Sequence, residues 1–307
     1  MKPGVKSLVR GQRPNMPSAS DLPDYAVVVV SYDSGPEVRT FVHSLEVATH
    51  PPCFLVIVEN AAGTPAPLKT DIPVRFIHLA HNPGYGSAIN AGVAALPLEV
   101  EWVLVSNPDV VLEPEAPERL LRVALEHPRA GALGPALINP DGTVYPSARE
   151  IPGIGIGAGH ALLGWIWKTN PWTKAYRGTY ESLGPRPSGW LSGACVLLNH
   201  SAFTGIGGFD ENYFMFMEDV DLGWRLGEAG YSSVYVPSAR AHHTVGHSTS
   251  KDRSSMVRVH HQSAKRFISR QYPAPWHWPL RTIVKVGLTL RQWLVRAAHN
   301  ASPGKAP

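Results

Sequence analysis

The chain has 307 residues, of which 44% are hydrophobic and 17% charged, enough to bury a sizeable core in one large domain or two small ones. The net charge of +4 hides a split: residues 251–307 carry 11 Lys/Arg and one acid, Asp252, whereas the remainder holds 17 basic and 23 acidic residues. A mildly acidic body with a basic tail does not fit a nucleic-acid-binding domain, and no nucleic acid partner is expected; it suits a tail lying on an anionic membrane surface.

Residues 1–23 are rich in Pro, Gly, Ser and basic residues but lack the apolar centre of a signal peptide, so they read as a disordered leader. Ala26–Val30 is a continuous apolar run, as expected of a parallel strand covered on both faces. A helical pattern follows over Glu37–Thr49, with Val38, Phe41, Val42 and Leu45 on one face. Phe54–Val58 and Val74–Leu79 read as strands, Ser87–Leu96 as a short helix, and Trp102–Ser106 as a strand ending at Asn107-Pro108-Asp109. Strands and helices alternating at this spacing predict βαβ units, and ligands then belong at the carboxyl ends of the strands.

The second half begins with a helix over Pro114–His127 and a strand over Gly131–Leu137. Residues 151–189 are rich in Gly, Pro and Trp with little regular pattern, which predicts a long loop, functional or mobile. Trp190–Leu198 returns to strand, Asp219–Gly230 is a helix with acids at its start and Gly at its end, and Tyr231–Val236 is a strand. Cys53 and Cys195 each sit in an apolar run, and both are expected to be buried free thiols in a reducing compartment. A final helix over Leu280–His299 groups Arg281, Lys285, Gln292 and Arg296 opposite Ile283, Leu290, Trp293 and Leu294, with Leu288 and Val295 interrupting the polar side. Two readings stay open for it: an interfacial anchor, which the charged tail favours, or a helix docked on the core. No run of 18 apolar residues exists, so nothing is expected to span a bilayer and a cytoplasmic protein, peripheral on the inner face of the membrane, is expected.

Four constellations carry chemistry. Asn107-Pro-Asp109 places a carboxylate at a strand end, where it would hold Mg²⁺ or Mn²⁺ against a diphosphate; the same turn also ends many strands with no ligand. Glu218, Asp219 and Asp221 are three acids within four residues at a helix start, more than the macrodipole needs, and one of them would serve as a general base. His242, His243 and His247 lie within six positions, and a neutral ring nitrogen among them would complete a metal site. Asn82-Pro-Gly84-Tyr-Gly86 runs into a helix, a turn whose backbone N–H groups favour anions but which is neither a Walker loop nor a dinucleotide fingerprint.

The order of the pieces is more specific than any one of them. Val-Val-Val-Val-Ser31-Tyr32, Glu59-Asn60, Asn82-x-Gly84-x-Gly-x-Ala-x-Asn90, Asn107-Pro-Asp109, Trp190-Leu-Ser-Gly193, Gly207-Gly-Phe-Asp210-Glu, Glu218-Asp219-x-Asp221-Leu-x-x-Arg225 and His243-x-x-Gly-x-Ser248 together resemble the inverting glycosyltransferases of family 2. Further segments, among them Asp-Gly-Thr-Val-Tyr-Pro-Ser-Ala-Arg149, are similar to the rhamnosyltransferases of actinobacterial cell-wall linker synthesis. The resemblance covers about residues 25–250. It implies an α/β GT-A fold: a Rossmann-like, mostly parallel central sheet flanked by helices. Residues 24–250 would form the transferase domain, divided at 113/114 into a nucleotide-sugar half and an acceptor half. Residues 251–307 would form a basic helical extension that contacts the membrane surface.

By residue, the resemblance assigns Asp109 and His243 to a divalent metal, Mn²⁺ or Mg²⁺, with Asn107 standing where the family usually has a further acid. Asp219 becomes the catalytic base and Glu218 shapes its environment. Ser31, Tyr32, Glu59, Asn60, Asn82, Gly84, Asn107 and Arg225 fall to the donor, with Glu59 in place of the Asp that usually meets the pyrimidine. Trp190, Gly193 and Arg149 fall to the acceptor; Arg149 and Arg225 have an alternative reading as structural ion pairs. The implied donor is dTDP-L-rhamnose and the implied acceptor a polyprenyl-diphosphate-linked N-acetylglucosamine. A sugar-1-phosphate nucleotidyltransferase lacks support, because its Gly-rich basic signature does not follow Val30; a non-catalytic nucleotide-sugar-binding protein would not need Asp109, Asp219 and His243 together.

Overall fold

A computed structural model of the chain describes residues 21–60, 68–97, 100–153, 184–244 and 253–300. The strands are β1 (Tyr25–Ser31), β2 (Phe54–Glu59), β3 (Val74–His78), β4 (Trp102–Ser106), β5 (Val110–Leu112), β6 (Ala130–Ile138), β7 (Val144–Tyr145), β8 (Ala148–Arg149), β9 (Arg186–Ser188), β10 (Trp190–Leu191), β11 (Cys195–Asn199) and β12 (Ser232–His243). The helices are α1 (Gly35–Glu46), α2 (Tyr85–Ala94), α3 (Ala116–Glu126), α4 (His200–Gly205), α5 (Glu218–Glu228), α6 (Arg253–Gln271) and α7 (Trp278–Asn300). The leader expected over 1–23 lies almost wholly outside the described residues, as do most of the loop expected over 151–189 and the end of the His-x-x-Gly-x-Ser motif.

The main sheet runs β3-β2-β1-β4-β11-β6-β12-β5. Pairs β3-β2, β2-β1, β1-β4 and β6-β12 are parallel, while β11 enters antiparallel between β4 and β6. The apolar run of β1 explains its place. All seven residues are buried: Val27 and Val29 pack with Phe41, Leu45 and Leu120 from α1 and α3 on one face, and Val28 and Val30 with Ile89, Val93 and Phe203 from α2 and α4 on the other. A strand coated on both sides has no polar face to alternate, hence four valines in a row. The expected three-layer α/β arrangement is what forms.

Three expectations need correction. The stretch Trp190–Leu198 is not one strand: Trp190–Leu191 pairs with β8 in a separate small sheet, and the main-sheet strand begins only at Cys195. The break at Ser192–Ala194 frees Gly193 to face the catalytic helix. Second, the strand expected to stop at Val236 continues to His243, because a register irregularity between Val236 and Arg240 accommodates Pro237. Third, Cys195 is buried, its thiol pushed up to about 12 by burial, but Cys53 is exposed at the mouth of β2. The 19-residue helix α6 falls within the helical extension expected over 251–307.

The last helix packs on α6 through one face and leaves another uncovered. Lys265 Nζ donates to Thr289 Oγ1 at 2.8 Å and Arg281 donates to the Pro273 carbonyl at 3.1 Å, while Ile283 and Val286 stay 70% and 60% exposed. No helix among the described residues is long and apolar enough to cross a membrane.

Candidate functional site

The predicted donor residues gather at the carboxyl ends of β1 and β2. Parallel pairing sets Ser31 directly beside Glu59, and Asn60 N donates to the Ser31 carbonyl at 2.8 Å. Glu59 Oε1 accepts from Asp33 N at 3.4 Å and lines a small recess with Ser31, Arg39, Leu68 and Phe76. Ser31 Oγ and Asn60 Oδ1 are buried without partners, an arrangement that suits a ligand with its own donors and acceptors. Tyr32, in the same group, is exposed.

Asn82 ties this end to the glycine turn. Its Oδ1 accepts from Asn60 Nδ2 and from Gly84 N, each at 2.9 Å. Gly84 has φ +101, and a Cβ there would lie 2.3 Å from the Phe214 carbonyl oxygen, so no other residue fits. The turn is thereby pressed against the segment that leads into α5. Phe216 and Met217 both take left-handed backbone conformations, φ 66 and 67, just before that helix. Two consecutive non-glycine residues in this region cost on the order of 1–3 kcal/mol each, and such strain gathers where a side chain must be aimed. The segment is held from behind by α6: Ser263 Oγ donates to the Met215 carbonyl at 2.8 Å, and His260 lies against the Phe216 ring.

The aimed group is the Glu218–Asp219 pair. Asp219 Oδ2 accepts from Gly193 N at 3.2 Å, and Oδ1 from Val220 N at 2.9 Å. Burial raises the Asp219 carboxyl above its usual range, opposed by these N–H donors and by the charge of Arg149. Glu218 is buried with Oε2 unpartnered, and burial followed by the neighbouring Asp219 pushes it up to about 8. Near neutrality Glu218 therefore keeps its proton.

Tyr85 links the two halves. Its hydroxyl donates to the Gly193 carbonyl at 2.6 Å, and its buried ring stands in the field of Glu218, Asp219 and Asp109. The sequence reading quoted this tyrosine within its motif but gave it no role; nothing in a lone aromatic after Gly84 announces that it will brace a loop 108 residues away. On the acceptor side Trp190 pairs with Arg149 across β10 and β8, and the Arg149 guanidinium lies 5.3 Å from the Trp190 ring centroid.

At the opposite wall, antiparallel pairing brings His243 beside Val110, and His243 Nε2 lies 3.3 Å from Asp109 Oδ1. His243 Nδ1 is buried and unpartnered. His242, one residue away and so on the other face of the strand, meets Glu113 instead. One hard oxygen and one imidazole nitrogen converging in this way fit Mg²⁺ or Mn²⁺ when diphosphate oxygens and water supply the remaining ligands. No group of three ligating side chains exists among the described residues. Asn107 N donates to the Ala194 carbonyl at 2.9 Å, which binds this strand end to the acceptor loop.

Arg225 is the predicted donor residue that stands apart. Its Nε donates to Asp221 Oδ2 at 2.6 Å and one Nη donates to the Ile206 carbonyl at 2.9 Å. Asp221 is fully buried and also receives Arg270. These contacts are those of a structural ion pair, the alternative reading of this arginine.

Residues 23–264 match the model of the family described as Glycosyltransferase like family 2. The chain is 46% identical over 281 residues to an N-acetylglucosaminyl-diphospho-decaprenol L-rhamnosyltransferase of Mycobacterium tuberculosis, covering 88% of this chain and 92% of that one. It is 29% identical over 251 residues to the O-antigen biosynthesis protein RfbC of Myxococcus xanthus, covering 80% of this chain and 18% of the relative. Among solved structures, a mannosyltransferase from Pyrobaculum calidifontis in complex with GDP-Man and Mn²⁺ aligns with a TM-score of 0.56 at 13% identity, over 95% of this chain and 79% of that one. GalNAc-T7 with UDP, GalNAc and Mn²⁺ aligns with the same TM-score at 17% identity, over 83% of this chain and 53% of that one. At such identities these two speak for the fold.

Proposed function

The chain belongs to the family 2 glycosyltransferases, and from that membership we propose that it transfers L-rhamnose, with inversion, from dTDP-L-rhamnose to an N-acetylglucosaminyl-diphospho-polyprenol in cell-wall linker synthesis. The observation that carries the reading is the 46% identity, over nearly the full length of both chains, to a relative named for that transfer. The arrangement of the cleft supports it.

The nucleobase sits in the recess of Ser31, Glu59 and Asn60. The glycine turn at Gly84 and the start of α2 face the diphosphate. The acceptor sugar lies over Trp190 and Arg149 with its hydroxyl at Asp219, which takes the proton as the hydroxyl oxygen bonds to the anomeric carbon. The bond from that carbon to the diphosphate breaks on the opposite side, and the nucleoside diphosphate departs. The reacting carbon passes through an oxocarbenium-like state similar to that of glycoside hydrolysis. A divalent cation held by Asp109 and His243 would neutralise charge on the departing diphosphate.

Glu218 stays protonated beside Asp219 and keeps a second negative charge out of the cleft. Burial raises the Asp219 pKa and so makes it a stronger base than a solvent-exposed aspartate, while the Gly193 and Val220 N–H groups and the charge of Arg149 oppose the rise.

The acceptor is a lipid, and we place the enzyme peripherally at the inner face of the membrane, with α7 as the contact. Its exposed Trp278, Ile283, Val286 and Leu290 and the basic character of the tail support this.

A panel of nucleotide sugars tested on a polyprenyl-diphosphate-linked N-acetylglucosamine is the deciding experiment. Transfer from dTDP-L-rhamnose in clear preference to the others is expected. Preference for another sugar, or transfer to an unlinked acceptor alone, would overturn the assignment.

A further inference from the structure

A second cleft, of about 1060 Å³, opens between α5 and the two C-terminal helices. Arg225, Lys265, Arg266, Arg270 and Lys285 line it, together with two acids, Asp210 and Glu211, the latter accepting from Asn90 Nδ2. Of the catalytic and ligand-binding candidates described above, Arg225 alone reaches it. Asp219 and Asp221 are two residues apart on one helix, hence turned about 200° from each other. The cleft lies on the Asp221–Arg225 side, away from the carboxylate that meets the acceptor.

The charges in this cleft do not cancel. Asp210 and Asp221 are shared among Arg225, Arg266 and Arg270. Lys265 meets only the Thr289 hydroxyl, and the Lys285 side chain makes no hydrogen bond or ion pair among the described residues. Arg225 adds a buried Nη2 with no acceptor, an unmet donor in the wall of a cationic cleft. The unmet chemistry is that of an anion with several oxygens.

Its location says which anion. Lys285 lies about 100° of helix turn from Val286 and about 140–160° from Leu290 and Ile283, so the cleft opens on the flank of α7 and not on its outer apolar face. Val286, Ile283 and Leu290 form an exposed apolar stripe on α7, and Trp276 and Trp278 are 76% and 63% exposed at its start. A cationic cleft on the flank of a helix whose outer face is an uncovered apolar stripe matches the two parts of one ligand, a phosphate group drawn in above the interface and the acyl chains under the stripe.

The geometry points to this cleft as a binding site for the phosphate headgroup of an anionic membrane lipid, distinct from the donor and acceptor sites. The inference rests on the reading of α7 as the membrane contact. It adds that one headgroup enters between α5, α6 and α7 and fixes the rotation of the enzyme on the bilayer.

The test is sedimentation of the full-length chain with vesicles of phosphatidylcholine alone or mixed with phosphatidylglycerol. Tighter binding to the mixed vesicles is expected. K265Q/K285Q should lose about fivefold per lysine removed, from about 1 kcal/mol each. K285Q alone, which breaks no contact, should show half of that effect on the logarithmic scale. R258Q, an exposed tail cation outside the cleft, should change binding less than twofold. If R258Q costs as much as K285Q, attraction is diffuse and the site is refuted. Equal binding of the wild type to both vesicles, unaffected by the lysine changes, also refutes it while the membrane contact stands. Failure to bind either vesicle removes the membrane reading itself and this site with it. Should inorganic phosphate without vesicles raise the Tm of the wild type but not of K265Q/K285Q, while vesicles have no effect, the ligand is free phosphate and the lipid assignment is overturned.

Discussion

The two sides of α5 carry the same residue type to opposite ends. Asp219 faces the cleft, takes two backbone N–H donors and feels Arg149 only at a distance; Asp221 is fully buried and gripped by Arg225 and Arg270. A carboxylate gripped by two guanidinium groups is engaged in the packing and offers no free oxygen to a substrate. One held by backbone N–H donors, with its pKa raised by burial, can work as a base. An acid-rich helix start thus contains both a structural ion-pair group and the proposed base, and their partners, not their spacing, tell them apart.

The largest expected effect is on the catalytic side. Asp219→Asn should cut turnover by about 10²–10⁴ without lowering the Tm, since it removes proton transfer and a carboxyl whose pKa burial raises. Asp221→Asn should do the reverse. It leaves two arginines facing a neutral amide and is expected to cost about 3–5 kcal/mol in denaturant unfolding, with activity falling only as the folded fraction falls. Comparable turnover losses in the two variants would erase the distinction.

His243 and His242 repeat the contrast across one strand. His243→Ala should weaken activation by Mn²⁺ or Mg²⁺ by roughly 10–100-fold in a metal titration, whereas His242→Ala, which meets only Glu113, should leave the titration unchanged.

Glu218→Gln is the subtlest change. Because Glu218 remains protonated until about pH 8, the amide mimics its working state and the rate at pH 7 should stay within about tenfold of wild type. Wild-type activity rises with pH as Asp219 ionises, at a value above the usual aspartate pKa, and falls again as Glu218 ionises. The variant should lose that alkaline fall. The sign for stability follows from the same shift: a carboxyl raised in the folded state favours folding below its unfolded pKa of about 4.3 and loses that contribution as pH rises toward 8. Glu218→Gln should therefore raise the Tm, most at alkaline pH. A retained alkaline limb or an unchanged Tm at pH 9 would contradict the protonation state.

Much of this was legible in the sequence wherever one residue type answers one local demand. The valines of β1 declared a doubly covered strand, and Asn107-Pro-Asp109 marked a strand end. What stayed hidden was decided by contacts between distant segments. The break at Ser192–Ala194 exists because Trp190 pairs with Arg149 while Cys195 pairs with Ser106, and no local pattern separates the two. Pro237 looked like a strand end, yet an irregularity in register absorbs it and carries His243 to Asp109. Neither Arg225 nor Tyr85 could be placed without knowing that Asp221 is buried and that Gly193 lies beside α2. The helical extension expected over 251–307 did not say what α6 docks on: Phe267 packs with Trp190, Tyr213 and Val220, and Arg266 and Arg270 meet Asp210, contacts with distant segments that no local pattern announces.

The central claim is a single displacement at the sugar carbon with Asp219 as the base. The anomeric configuration of the product, read by NMR after transfer from dTDP-L-rhamnose to the polyprenyl-linked acceptor, tests it most directly. The account predicts a configuration inverted relative to the donor; retention would require a second nucleophile that this cleft has not been assigned, and would contradict it.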